Sequence, residues 1–301
     1  MELPPTGHDP VLIREVMESL SPAPGQTIVD CTLGRGGHSS ALAAELGPDG
    51  TLIALDVDPR NLAYAQERLA GAPCRVRLFH ANFAELEDVL SEAGVPLVDS
   101  ILADLGISTN QLFESPYGLS FAQDMPLDMR LDPRIEQSAA DLVNTMREDD
   151  LANVLYENAQ EHYSRRIARK IGEARRISPI KSTEQLADLV RQAIPKKGGP
   201  PDRIDPATRT FMALRMAVNR EMENLEALLK QAPRFLKPGG KLAIIGFHST
   251  EDRLVKQSFR LAEQVGNLKV LTKKPITPAD PELASNPRSR SAKMRVAQRN
   301  G

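Results

Sequence analysis

The 301-residue sequence contains no tryptophan, and its four tyrosines and eight phenylalanines amount to only 4% of the chain. A surface that stacks a long run of unpaired bases would have few rings to draw on. Only two cysteines are present, Cys31 and Cys74. They build neither a disulfide framework nor a four-ligand zinc site, and they fit a reducing compartment. No apolar run approaches the ~20 residues that span a bilayer. The first ten residues, MELPPTGHDP, lack the basic and apolar stretches of a secretory signal. The expectation is a soluble, cytoplasmic protein with no membrane partner. Charge of either sign is not in excess: 38 Lys and Arg stand against 40 Asp and Glu, a net charge of −2. Any surface for a polyanion must therefore be a local patch. What is present, 41% hydrophobic and 26% charged residues, is ordinary globular usage.

The first hundred residues alternate short apolar runs with helical stretches. Strands are expected at Gln26–Cys31, Thr51–Asp56, Arg75–Phe79 and Val98–Leu105, with helices at Ser39–Leu46, Pro59–Ala70 and Glu85–Ala93. This rhythm predicts parallel βαβ units with helices on both faces. From about Leu112 to Asp205 it breaks, and helices alone follow, at Ala139–Met146, Asp149–Gln160, Ser164–Arg176 and Thr183–Ala193. Ser182 with Gln185 forms a capping-box pattern, and Lys196–Pro201 reads as a flexible basic joint. The βα pattern returns with one long helix from Asp205-Pro206 to about Lys230, a turn at Pro238–Gly240, a strand at Lys241–Phe247, a helix at Glu251–Gln264 and a last strand near Met294–Ala297. The expected architecture is one α/β domain, residues 1–111 and 206–301, carrying an inserted all-helical domain over 112–205.

The strongest local signal lies between the first strand and the first helix: Asp30-Cys-Thr-Leu-Gly34-Arg-Gly36-Gly37-His38-Ser39. A glycine cluster there lets backbone approach a ligand at the carboxyl end of a sheet. The second strand ends in Asp56, nineteen residues after Gly37, where a carboxylate can accept hydrogen bonds from ribose hydroxyls. The alternative is a tight turn and a solvated carboxylate. The third glycine of a dinucleotide fingerprint and the lysine of a phosphate-binding loop are both missing. An adenosine cofactor without pyrophosphate, S-adenosylmethionine, fits better than NAD. Phe83 follows the third strand and reads either as a ring stacked on adenine or as a core residue. Asp104 ends the fourth strand, where methyl group and acceptor would meet; a loop-capping carboxylate is the other reading.

A series of strings resembles the RsmH (MraW) family of 16S rRNA cytosine-N4 methyltransferases: HDPVLIREVMESLSP, VDCTLGRGGHS, DLGIST, PLDMRLDP, DPATRTFMALRMAVNRE, GGKLAIIGFHSTEDRLVK and NPRSRSAKMR, in order along nearly the whole chain. The resemblance implies a class I S-adenosylmethionine-dependent methyltransferase fold, a Rossmann-like sheet with a helical insertion. It implies methylation of a cytidine in the decoding centre of small-subunit rRNA. Position by position, it places the cofactor contacts on Gly36, Gly37, His38, Asp56, Phe83, Asp104 and Gln111; His38 and Gln111 rest on the resemblance alone. The chain departs from the family at Ser108-Thr109-Asn110-Gln111-Leu112-Phe113, which lacks the usual Pro and Asp. At Tyr117–Phe121 it lacks an arginine.

N4 of cytosine is a weak nucleophile, so catalysis is mainly orientation, with an acceptor for the proton that leaves. The catalytic candidates are Asp104, His248 and Ser249 at strand ends facing one crevice, and Ser108 against the base edge. A His248 that merely caps the helix at Glu251 is as good a reading. Neither cysteine is placed to attack the ring, and no aromatic follows Asp104 as in DNA amino-methyltransferases. No complete metal-ligand cluster is visible, and the displacement needs none. Arg165–Arg176 and residues 286–301 could contact phosphates, and no acid inside the second segment neutralises it. The expected partner is 16S rRNA within the 30S subunit; the sequence is also compatible with a homodimer. Asp128 and Arg130 are expected to pair and brace their loop.

Overall fold

The computed structural model describes residues 10–113, 117–195 and 205–301. The Lys196–Pro201 joint lies outside them, as do residues 114–116 and the first nine. The chain forms two compact units, residues 1–106 with 222–301, and residues 107–221.

In the first unit, helix α1 (Ile13–Leu20) precedes strand β1 (Thr27–Asp30), α2 (Gly37–Leu46), β2 (Thr51–Asp56), α3 (Pro59–Leu69) and β3 (Arg75–His80). A single 3₁₀ turn (Phe83–Glu85) leads into α4 (Leu86–Ala93) and β4 (Val98–Asp104). The second unit holds α5 (Thr109–Phe113), α6 (Ala139–Thr145), α7 (Glu148–Ala159), α8 (Ser164–Arg175), α9 (Thr183–Ala193) and α10 (Ala207–Val218), and no strand among its described residues. Helix α11 (Glu221–Phe235) returns the chain to the first unit for β5 (Leu236–Gly246), α12 (Ser249–Gln264), β6 (Leu268–Val270), α13 (Asp280–Ser285) and β7 (Lys293–Arg299).

The seven strands run in the order β3-β2-β1-β4-β5-β7-β6. The first five are mutually parallel, and β7 is antiparallel to both neighbours. This is the class I methyltransferase sheet that the resemblance implied. Each inner strand is apolar on both sides because helices cover both faces. Alternate residues feed two separate cores. Val29, Ile53, Leu55, Ile101 and Ile244 pack with α4, α11 and α12. Ile28, Leu52, Ala54, Leu102 and Ile245 pack with α1, α2 and α3. Edge strand β3, RVRLFH, is only partly buried. The strand order reverses between β1 and β4, and a crevice at the carboxyl ends of these strands is where such sheets bind ligands.

The second unit has its own core. Leu151 and Leu155 of α7, Ile167 and Ile171 of α8, Leu186 and Val190 of α9, and Phe211 and Leu214 of α10 recur at helical spacing and bury together. The Ser182–Gln185 capping box forms as read, and Arg130 grips Asp128 through Nε at 2.7 Å and Nη2 at 2.8 Å.

Four features differ from the sequence reading. The long helix from 206 to 230 is two helices, broken at Asn219-Arg220, with Arg220 left-handed (φ 49°). The Asn219 amide leaves the helical pattern to accept from Leu131 N at 2.9 Å and donate to Met129 O at 2.8 Å. Because α10 packs on α6, α7 and α9, the compact unit ends at residue 221 rather than 205, and it begins at 107 rather than 112. Residues 238–240 are not a turn before the strand but an irregularity inside it, where pairing with β4 jumps from Val98–Leu236 to Ser100–Lys241. Helix α1 and the three-residue β6 had no reading in advance.

Candidate functional site

Three strands end in an aspartate: β1 in Asp30, β2 in Asp56 and β4 in Asp104. Asp30 is buried and builds the floor. Its carboxylate accepts from Thr32 N at 3.1 Å and from Ser39 Oγ at 2.7 Å, which ties the strand end to the first turn of α2. Burial pushes its carboxyl above the ordinary range. The loop between them needs Gly36, which is left-handed at φ 76° and hands the chain into α2. The first turn of α2 carries no acid of its own, and the carboxylates beside its positive end are Asp30, through Ser39, and Asp104, next to His38.

Asp56 organises the same loop from the neighbouring strand. It accepts from Gly34 N at 2.7 Å, Asp58 N at 2.8 Å and Asn61 Nδ2 at 3.3 Å. Burial pushes its carboxyl up to about 7, against the pull of these donors. Much of its accepting capacity is thus spent on the protein. Phe83, in the turn after β3, is half-buried against the α4 face of the sheet. This satisfies the core reading while leaving part of the ring open.

Asp104 is held by its backbone, whose N–H donates to Thr32 Oγ1 at 2.6 Å. Its Oδ1 accepts from Gly106 N at 3.4 Å, and its Oδ2 lies 3.7 Å from His38 Nδ1. Burial pushes the carboxyl up to about 6; His38 pulls it down, while Asp30 and Glu251 push it further up. His38 is buried, with Nε2 2.9 Å from Val11 O. A carbonyl only accepts, so Nε2 bears a hydrogen and Nδ1 is the nitrogen turned to Asp104.

His248 caps α12. Its Nδ1 accepts from Glu251 N at 3.4 Å, and the Glu251 carboxylate accepts from Phe247 N at 2.7 Å and His248 N at 3.2 Å. The capping reading is what is observed. The remaining nitrogen, Nε2, is buried with no aligned hydrogen-bond partner among the described residues, although Glu251 Oε1 is 3.0 Å away. Ser249 is exposed at the first position of α12. Behind them, Gly106 lies so close to Phe247 that a Cβ would stand 2.8 Å from the ring.

Gly36, Gly37, His38, Asp56, Phe83, Asp104, His248 and Ser249 therefore all sit on the first unit, at or just beyond strand carboxyl ends. Ser108 and Gln111 belong to the second unit. There the Ser108 N–H donates to Gln111 Oε1 at 3.1 Å, and Ser108 Oγ is buried without a partner among the described residues. Asp30 and Thr32 were missed, while Glu251 was named only as the place where His248 would cap its helix. The signal for Asp30 was available, because it closes its strand just as Asp56 and Asp104 do.

The basic tail corrects one expectation. Arg295 is buried and bonded through Nε to Asp252 Oδ1 at 2.6 Å, with Lys293 4.0 Å from the same carboxylate. Its neutralising acid comes from α12, 43 residues away, which a local charge count cannot see. In the other basic segment, Arg165, Arg166 and Arg169 are exposed on α8, while Arg175 turns in to donate to Val143 O at 2.7 Å.

Comparisons with known proteins match this chain over nearly its whole length. The profile of the MraW methylase family fits residues 5–300. The protein named ribosomal RNA small subunit methyltransferase H from Geobacter sulfurreducens is 45% identical over 307 residues, 97% of this chain and 98% of that protein. Its namesake from Citrifermentans bemidjiense is 44% identical over the same shares. Among solved structures, an rRNA methylase from Streptococcus thermophilus superposes with a TM-score of 0.47 at 10% identity, covering 98% of this chain and all of that one.

Proposed function

This chain belongs to the MraW methylase family and is an S-adenosylmethionine-dependent methyltransferase of small-subunit ribosomal RNA; from that premise we propose that it methylates N4 of one cytidine in the decoding centre of 16S rRNA, within the 30S particle and in the cytoplasm, by direct in-line transfer. Among the described residues no helix is long and apolar enough to cross a membrane. A homodimer is compatible with this reading, and light scattering tests it.

The strand ends fit the cofactor. At Gly34 no atom lies within 4 Å of the place a Cβ would take, so that side of the loop is open. Asp56 holds the N–H of that same glycine. We assign Gly36, Gly37, His38, Asp56, Phe83, Asp104 and Gln111 to cofactor binding. When bound, S-adenosylmethionine supplies a methyl group made electrophilic by its sulfonium sulfur.

The residues then have two tasks. One is to hold the exocyclic amine in line, which is worth several kcal/mol of barrier when geometry is right. The other is to accept an N4 proton. Asp104 suits both: a carboxyl raised to about 6 is largely ionised at neutral pH and is a stronger base than an ordinary aspartate. His248, whose Nδ1 accepts from Glu251 N and whose Nε2 therefore bears the hydrogen, serves as a donor that orients the base, with Ser249 and Ser108 contacting it. Burial and the neighbouring Asp30 push the Cys31 thiol far up, which leaves no thiolate there for attack on the ring and favours the direct route. The helical unit, with Arg165, Arg166 and Arg169 exposed on α8, is assigned to RNA recognition.

The observation that carries this reading is Asp104, a partly buried carboxylate at the end of β4, opposite His38 of the glycine loop. The test is methyl transfer from labelled S-adenosylmethionine to unmethylated 30S subunits, with the modified nucleoside identified by mass spectrometry, for the wild type and Asp104→Ala. N4-methylcytidine at one decoding-centre position, lost in the variant, is expected. Methylation elsewhere, or of another atom, would overturn the assignment.

A further inference from the structure

Helix α12 begins at the site, with His248 as its cap, and runs away from it past a second feature. A cleft of about 240 Å³ opens there, lined by Lys256, Arg260 and Glu263 of α12, Thr272 and Lys273 beyond β6, and Arg295 of β7. Four cations face one carboxylate. Glu263 is engaged, accepting from Val270 N at 2.9 Å. Lys256, Arg260 and Lys273 are exposed and have no ion-pair partner among the described residues.

Arg295 is the telling member. It is only 5% exposed, yet its one side-chain bond among the described residues is Nε to Asp252 Oδ1 at 2.6 Å. Both terminal nitrogens donate to no acceptor among those residues. A guanidinium is a planar fork suited to two oxygens at once, and the terminal nitrogens of Arg295, which are not among the fully buried polar atoms, are left to the cleft that the residue lines. The group that completes it is an anion with several oxygens, in a cleft where three more cations would share the charge.

We propose that this cleft holds a backbone phosphate of the RNA substrate, a reading that rests on rRNA being the substrate. The spacing suits it. Lys256 and Arg260 lie eight and twelve residues beyond His248, about 12 and 18 Å along the helix at ~1.5 Å per residue. That is within reach of the nucleotides flanking a base held at the strand ends. Gripping the backbone there offsets part of the cost of unstacking the target base.

The experiment compares wild type, the triple variant Lys256→Ala, Arg260→Ala, Lys273→Ala, and a control, Arg75→Ala with Lys230→Ala, which removes exposed charge elsewhere on the same unit. Affinity for unmethylated 30S subunits is measured between ~50 and ~200 mM salt, alongside S-adenosylmethionine binding by calorimetry and methylation. The triple variant should bind the cofactor normally, bind 30S about tenfold or more weakly, and show a salt dependence shallower by about two to three in log–log slope. The control should differ little. An unchanged slope in the triple variant, with the wild type methylating 30S, would overturn the cleft alone. So would competition by inorganic phosphate at the cleft with no effect on RNA affinity. A wild type that neither binds nor methylates rRNA would bring down the functional reading and the cleft together.

Discussion

His38 and Asp104 face each other across the sheet's switch point, Nδ1 to Oδ2 at 3.7 Å, with the far side of the imidazole fixed on the Val11 carbonyl at 2.9 Å. The contact is attractive only when one of the two partners carries a proton. A neutral imidazole that has spent its hydrogen on Val11 would otherwise turn a lone pair toward a carboxylate.

Asp104→Asn should therefore separate stability from activity. Burial raises the Asp104 carboxyl to about 6 from its ordinary 3.8, so the folded state binds that proton more tightly than the unfolded chain. The resulting stability is complete below about pH 4 and is lost as pH rises through about 6. Asp56, raised to about 7, acts in the same direction up to about pH 8. The variant should lose roughly 10²-fold or more in methyl transfer, and its urea midpoint should fall less than the wild type's between pH 5 and pH 8. Equal falls would show that Asp104 is not the group being titrated.

Asp56→Asn tests the glycine loop. Three donors converge on this carboxylate, from Gly34 N, Asp58 N and Asn61 Nδ2. An amide must turn its NH₂ toward one of them, which costs about 1–3 kcal/mol. Because Gly34 is one of the three, affinity for S-adenosylmethionine should fall along with stability. Calorimetric titration and urea unfolding read the two effects; a stable variant with unchanged cofactor affinity would remove Asp56 from the site.

The close approach of Gly106 to Phe247 makes a sharper prediction. A Cβ at Gly106 would come 2.8 Å from Phe247 Cε2 and 3.0 Å from Cζ. Gly106→Ala must displace the ring, at about 1–3 kcal/mol, and Phe247 immediately precedes His248. Stability and activity should fall together. Adding Phe247→Leu should restore most of the stability, and a double variant no more stable than the single one would place the strain elsewhere.

Much of this arrangement was legible because it follows from local rules. Strands such as TLIALD advertise burial on both faces, and the Ser182–Gln185 capping box forms where it was read. The glycine string and the strand-end aspartates marked the carboxyl edge of the sheet, where they now stand together. What escaped depends on partners distant in sequence. The pairing of Arg295 with Asp252 spans 43 residues. The break at Asn219 was hidden for the same reason. Nothing within DPATRTFMALRMAVNRE signals that one amide is needed by a loop 88 residues away.

Asn219 accordingly gives the last prediction. Its side chain accepts from Leu131 N at 2.9 Å and donates to Met129 O at 2.8 Å and Arg215 O at 2.9 Å, while being almost wholly buried. Asn219→Leu keeps the bulk but strands the Leu131 N–H and the Met129 carbonyl, each unsatisfied group costing about 1–3 kcal/mol. The loss falls on the loop first, since the α10 core of Phe211 and Leu214 is untouched. Limited proteolysis should cut between residues 126 and 135 in the variant under conditions that leave the wild type whole, with the urea midpoint lowered as well. Protection of that loop at wild-type level would show that the Asp128–Arg130 fork holds it without Asn219.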